Sequence, residues 1–342
     1  MSEAAGAERA TAARDEGQDP GGQDGWRIYR GDDTVVRDLP LPAAPPWRRF
    51  GALPGPRPAP AYRIGPQEAD VVNAALHLRR PLLVTGRPGT GKSSLAASVA
   101  RELGLGPVLR WPVNSRTTLQ DGLYRYDAVG RLRDSGRSRE LGAPEPDMGS
   151  YLRLGPLGTA LATGRAGRPR VLLVDELDKG DLDLPNDLLV VFEEGEFEIP
   201  ELSRLPDDHP DVRVMLTGTR ERHLVHRGVI GCQEFPVTVL TSNGERDFPP
   251  AFLRRCVRLD LPEPDEARLR EIVRAHLGEE GLRAGEDLIE AFLHRRDHDR
   301  GALATDQLLN AVHLRLGGAE LGREGLLGTV LRPLEEPEPG LG

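Results

Sequence analysis

Lysine is almost absent from this chain of 342 residues: of 45 basic side chains, only Lys92 and Lys179 carry an ammonium. Cysteine is nearly as scarce, and two thiols, Cys232 and Cys256, exclude a disulfide framework. No apolar run approaches the roughly 20 residues needed to span a bilayer. Residues Met1 to Gly25 lack the apolar stretch of a signal peptide, so the expectation is a cytoplasmic protein with no membrane partner. Stripes of positive charge are missing too. The formal charge is −9, with arginines interleaved among acids, which disfavours a nucleic-acid surface as the main business.

Against that background, one lysine stands out. Lys92 belongs to Gly86-Arg87-Pro88-Gly89-Thr90-Gly91-Lys92-Ser93, a complete phosphate-binding loop followed by Ser94. Gly86, Gly89 and Gly91 allow positive φ and bring backbone N–H groups within reach of phosphate oxygens. The compact Lys92 ammonium reaches between phosphates where a guanidinium does not fit, and Ser93 offers a hydroxyl to Mg²⁺. Pro81 to Thr85 reads as a short buried strand entering the loop. Leu95, Val99 and Leu103 recur at helical spacing after it, so the phosphates would sit on a helix N-terminus. This predicts a bound nucleotide with Mg²⁺.

The rest of the chain divides by composition. Residues 1–60 read as a disordered tail, a small hairpin over Trp26–Leu39 and a proline-rich linker or strap from Pro40 to Pro60. Over residues 61–262, short apolar runs alternate with helical patterns, the signature of a parallel sheet covered on both faces. Its strands are expected at Leu82–Thr85, Val108–Pro112, Val171–Val174, Val237–Ser242 and Val257–Leu261. Residues 263–334 carry only helical signals: Asp265 to Leu277 ending at Gly278, Glu286 to Arg295, and Asp306 to Leu316 with Thr305 as N-cap. They read as a small helical lid, and 335–342 as a second disordered tail.

Further chemistry is marked at strand ends. Val171-Leu172-Leu173-Val174 runs into Asp175 and Glu176. After a phosphate-binding loop, the first acid suits the Mg²⁺ shell and the second can polarise a water for attack on the γ-phosphate. Glu176 matters most, because a nucleotide kinase or a simple switch does not need it. Asn243, closing Thr241-Ser242-Asn243, can hold that water or serve as an ordinary turn residue. Arg254 and Arg255 follow Pro249-Pro250-Ala251-Phe252-Leu253. An arginine there that reached a neighbour's γ-phosphate would couple hydrolysis to assembly; surface solvation is the plain alternative.

In this order, the four elements resemble the AAA+ ATPases. The run Asp175-Glu176-Leu177-Asp178-Lys179-Gly180, the helix Asn186–Glu194, the β-type segment Gly195-Glu196-Phe197-Glu198-Ile199 and the upstream Gly155-Pro156-Leu157 are similar to the MoxR family. The resemblance spans roughly Ala61 to Gly317. It implies a P-loop NTPase αβα core with a parallel five-stranded sheet, a helical lid, and a homo-oligomeric, usually hexameric ring. It also implies ATP hydrolysis used to remodel client proteins or assist their assembly. By the same resemblance, Lys92 and Ser93 take the Walker A roles, Asp175 and Glu176 the Walker B roles, and Asn243 the sensor 1 role. Arg255 matches the arginine finger best, with Arg254 as the alternative. One departure is plain. Where the family's lid often has Ser-Pro-Arg, this chain has Ala304-Thr305-Asp306-Gln307, so Arg300 or another lid arginine substitutes, or the lid is coupled to ATP differently.

Smaller signals complete the reading. Ile64-Gly65 precedes the helix Gln67–Leu78, where an adenine ring is often covered in such proteins, and a helix-preceding turn explains it equally well. Leu123 and Tyr124 are candidate pore-loop residues, since a chain with 4% aromatic residues places two tyrosines in Leu119–Asp127; packing on the core is the alternative. His223, His226 and Cys232 lack a fourth ligand at suitable spacing and read as an inserted loop. Rival functions are an ATP-dependent switch with slow hydrolysis and a nucleic-acid motor or loader. A small-molecule kinase is more distant, as nothing resembles an acceptor site.

Overall fold

The computed structural model describes residues 64–206, 208, 210–298, 303–321 and 325–331, together with 26, 28, 29 and 41–48. The expected tails 1–25 and 335–342, most of the Trp26–Leu39 hairpin, the boundary at Ala61 and Arg300 lie outside the described residues.

The first elements are α1 (Pro66–Leu78), β1 (Leu82–Thr85), α2 (Lys92–Glu102), β2 (Leu109–Pro112), α3 (Leu119–Leu123), β3 (Tyr124–Tyr126) and α4 (Ala128–Leu141). Next come β4 (Leu152–Leu154), α5 (Pro156–Thr163), β5 (Val171–Asp175), α6 (Leu184–Glu194), β6 (Glu196–Glu198) and α7 (Pro200–Ser203). They are followed by β7 (Asp211–Met215), β8 (Arg222–His226), β9 (Val229–Gly231), β10 (Val237–Ser242), α8 (Pro250–Leu253) and β11 (Val257–Asp260). Helices α9 (Glu266–Ala284), α10 (Glu286–His298), α11 (Thr305–Leu316) and α12 (Leu326–Val330) complete the order.

Five strands form a parallel sheet in the order β11-β1-β10-β5-β2, the expected α/β class. The inner strands β1, β5 and β10 are largely apolar because both faces are covered, whereas the edge strands β2 and β11 carry the exposed Arg110 and Arg258. Leu82, Val84, Val171, Leu173 and Val239 point to one side, where Leu95, Ala96 and Val99 of α2 pack. Leu83, Leu172, Val174 and Leu240 point to the other, against Leu157 and Leu161 of α5 and Leu188 of α6. The two-residue period of a strand thus splits one apolar run between two cores.

A second sheet, β3-β4-β7-β8-β9-β6, is the main feature the sequence did not announce. Its strands have three to five residues, and several bury only alternate positions, as in the pattern of Asp211–Met215. The segment expected as an inserted loop around His223 and His226 is the β8–β9 hairpin. Arg227 and Gly228, both with positive φ, make its two-residue turn. The expected β-type segment after α6 is β6, which pairs with β9.

Among the C-terminal helices, Gly278 (φ 73°) breaks α9 at the expected place, and Asp265 caps its start by accepting from the Arg268 N–H at 2.8 Å. The N-cap of α11 is Ala304, one residue before the expected Thr305. Ala304 offers no side-chain acceptor, while Gln307 Oε1 accepts the Ala304 N–H at 2.9 Å. Trp47, in the segment expected as a linker or strap, meets these helices. Trp47 donates to Asn310 Oδ1 at 3.2 Å and sets its ring edge to His313, with centroids 5.7 Å apart. No helix among the described residues is long and apolar enough to cross a membrane.

Candidate functional site

Three neighbouring strands end at one place. The strand β10 lies between β1 and β5, so the loop after β1, the acids ending β5 and Asn243 after β10 emerge side by side at the carboxyl edge of the sheet. Ligands of open parallel sheets bind at this edge.

Gly86, Gly89 and Gly91 have φ of 145°, 81° and 91°, which L side chains rarely adopt, and Gly91 is the N-cap of α2. Pro88 is half-buried and Thr90 Oγ1 donates to the Arg87 carbonyl at 2.9 Å, bracing the loop. The Lys92 ammonium is buried and donates to the carbonyls of Gly86 (2.6 Å) and Arg87 (2.8 Å). Burial lowers its pKa, opposed by the charges of Asp178, Asp175 and Glu176 in that order. Ser94 is exposed on the first turn of α2.

Ser93 Oγ donates to Asp175 Oδ1 at 2.7 Å, and Thr241 Oγ1 donates to the same oxygen at 2.7 Å. Thr241 also accepts the Glu176 N–H at 2.8 Å, which pins the backbone turn at Glu176 in the left-handed region (φ 60°). Hydroxyl and carboxylate oxygens converging at Ser93 and Asp175 are the hard donors Mg²⁺ takes, so this donor set fits the ion. The Glu176 carboxylate lies 3.0 Å from Lys179 Nζ, and that hydrogen bond raises the lysine's pKa. Both lysines of the chain therefore stand at this site.

Asn243 is half-buried, and its backbone N–H donates to Asp178 Oδ2 at 2.9 Å. Arg255 is ion-paired with Glu193 of α6 and donates to the Ala251 carbonyl, whereas Arg254 is exposed. Neither arginine approaches the phosphate-binding loop of its own chain by any contact among the described residues. Ile64 packs on the core beside α1, and Gly65 is the N-cap of that helix.

Of the two readings of the candidate pore-loop pair, the structure supports packing on the core. Leu123 and Tyr124 are buried in the core. Tyr124 stacks on Phe197 with centroids 6.4 Å apart and donates to Glu201 at 2.9 Å. Burial, then Glu201, push its pKa up to about 12. Sequence reading assigned no role to Thr241, Asp178 or Glu193. Thr241 was detectable as a polar residue inside an apolar strand.

Residues 81–256, more than half of the chain, match the AAA domain (dynein-related subfamily). No curated protein matches. Among solved structures, NtrX from Brucella abortus in complex with ADP is similar with a TM-score of 0.40 and 14% identity, over 78% of this chain and 53% of that one. The chain thus spans about half the length of that protein. The matched segment runs from the strand that feeds the phosphate-binding loop to the arginines after α8, and on that ground this chain belongs to the AAA domain family, dynein-related subfamily.

Proposed function

We propose that this protein is a MoxR-like AAA+ ATPase. It hydrolyses ATP with Mg²⁺ as a cytoplasmic homo-oligomeric ring, hexameric in the usual form, and uses the energy to remodel client proteins or assist their assembly. The observation that supports it best is the convergence of Ser93 and Thr241 on Asp175, with Glu176 one residue on. A structural loop needs no second acid there.

Mg²⁺, when bound, supplies charge neutralisation at the phosphates. Backbone N–H groups of Gly89 to Ser93 cradle the phosphates and Lys92 exchanges its two carbonyl partners for phosphate oxygens. Ser93 and Asp175 would hold the ion. Glu176 accepts a proton from the attacking water while Asn243 orients it, and Arg255 of an adjacent copy stabilises charge on the transferred group. Gly65 and Ile64 border the base.

A nucleotide-gated switch with slow hydrolysis is the second reading. It is favoured by the Glu176–Lys179 and Arg255–Glu193 pairs, which engage two of the catalytic candidates. Among the described residues, no contact favours a nucleic-acid motor. The deciding experiment is ATPase rate against protein concentration, with particle mass measured by light scattering on the same samples. The proposal expects specific activity to rise as rings form, and Glu176→Gln to bind ATP without turnover. A flat, negligible rate on a monomer would move the assignment to the switch.

A further inference from the structure

The residues 304–307 hold no arginine, yet they lie against the phosphate-binding loop. A Cβ added at Gly89 would stand 2.7 Å from the Thr305 nitrogen and 3.1 Å from the Ala304 Cβ. The C-terminal helices therefore touch the loop through small groups, and the charge linking the two comes from elsewhere.

It comes through Glu263, in the short hinge between β11 and α9. One carboxylate oxygen of Glu263 meets Arg87 Nη1, on the phosphate-binding loop, at 2.9 Å. The other meets Arg296 Nε, on α10, at 3.4 Å. The Arg296 side chain is only 15% exposed and also donates to the Pro264 carbonyl at 2.6 Å, so it is anchored on the hinge. Arg296 Nε also meets Asp297 Oδ1, the next residue of α10, at 3.1 Å, while Arg270 and Arg315 are paired with carboxylates of α9 and α10 and not with Glu263. Arg296 is thus an arginine of these helices joined by an ion-paired carboxylate to the loop.

Resting on the nucleotide-binding reading above, we propose that Arg296 is the residue through which the helical lid registers nucleotide, acting on the loop through Glu263 and Arg87. Glu263 divides its charge between two guanidiniums. Phosphates entering the loop compete with Glu263 for Arg87, because they bring more negative charge to the same guanidinium. As Arg87 turns to them, Glu263 is left to Arg296 alone, and the hinge draws towards α10. Arg296 is thus a positioning residue. It screens Glu263, whose negative charge otherwise opposes phosphate binding.

The test is ADP binding with Mg²⁺ by titration calorimetry on the full chain, with melting temperatures recorded for each variant. Glu263→Gln removes a carboxylate from the edge of the phosphate site and frees Arg87, so ADP is expected to bind roughly two- to tenfold tighter. Damage to the fold cannot produce that gain. Arg296→Ala is expected to weaken binding by a similar factor and Arg296→Lys to restore most of it. The double variant Arg296→Ala with Glu263→Gln should match Glu263→Gln alone, because Arg296 acts only through Glu263. No tightening in Glu263→Gln overturns the inference, as does an equal penalty for Arg296→Ala in both backgrounds. Lys92→Ala separates the two levels. Binding by wild type that is lost in Lys92→Ala upholds the nucleotide site whatever the hinge variants do, and no binding by wild type overturns both.

Discussion

Asp178 Oδ2 accepts the backbone N–H of Asn243 at 2.9 Å, and the same oxygen takes the N–H of Glu245 at 3.1 Å. Asp178 is 3% exposed and sits two residues after Glu176. The turn that carries the water-activating candidate is therefore tied to the loop that carries the water-orienting one by a buried carboxylate bridging β5 and β10. A shift at either strand end moves both groups together.

Asp178→Ala is expected to lower ATP turnover at least about tenfold with little change in ATP affinity, since a small misplacement of positioned groups has effects of this order or larger. It leaves two N–H groups without their acceptor, each costing about 1–3 kcal/mol, so the melting temperature should fall as well. Steady-state kinetics with a thermal melt checks this. A variant that loses stability but keeps its turnover number would show the tie to be structural only.

How much of this was legible follows from the range of the interactions. The loop from Gly86 to Ser93 is a local device whose glycines and lysine are all visible in eight consecutive residues. The strands of the parallel sheet were legible because burial on both faces leaves unbroken apolar runs such as Val171–Val174. Most of the second sheet was not, because three-residue strands such as Tyr124–Tyr126 and Leu152–Leu154 show no period and their pairing is decided by tertiary contacts; Glu196–Glu198 was read as β-type only through the family resemblance. Asp178 and Glu263 were invisible for the same reason. Their partners lie far along the chain, and a charged residue beside a strand end normally reads as solvated.

Arg255 and Glu193 give a prediction about assembly. An arginine that serves a neighbouring copy has to leave Glu193 when the copies meet. Arg255→Ala should cost about a thousandfold in turnover in a ring-forming preparation, with ATP affinity preserved. Arg254→Ala should stay within about twofold of wild type. Reversal of these two results would transfer the role to Arg254.

Glycine substitutions test the packing with opposite signs. A Cβ on Gly158 of α5 would lie 2.0 Å from the Leu123 carbonyl oxygen, a backbone atom that cannot swing away. Gly158→Ala should therefore destabilise by about 1–3 kcal/mol despite the better helix propensity of alanine. Gly136 of α4 has nothing within 4 Å of its added Cβ, and that helix buries no residue. Gly136→Ala should stabilise by up to about 1 kcal/mol. Thermal or urea unfolding of the two variants side by side decides the matter, and equal shifts would contradict the packing of α5 on α3.

Tyr124 predicts a pH dependence. Its folded-state pKa is pushed up to about 12 by burial and by Glu201, above the value near 10 of a free tyrosine. A group with a raised folded pKa contributes stability that is fully present below the unfolded value and is lost as pH rises through the folded one. Between pH 10 and 12 the unfolded chain releases this proton while the folded chain retains it, so the melting temperature should drop across that window. Tyr124→Phe keeps the ring over Phe197 and removes the proton. The difference between wild type and Tyr124→Phe should be constant below pH 10 and shrink above it. Parallel curves through pH 12 would mean that Tyr124 ionises as freely in the folded protein as in the unfolded one, and so is not shut in the core against Glu201.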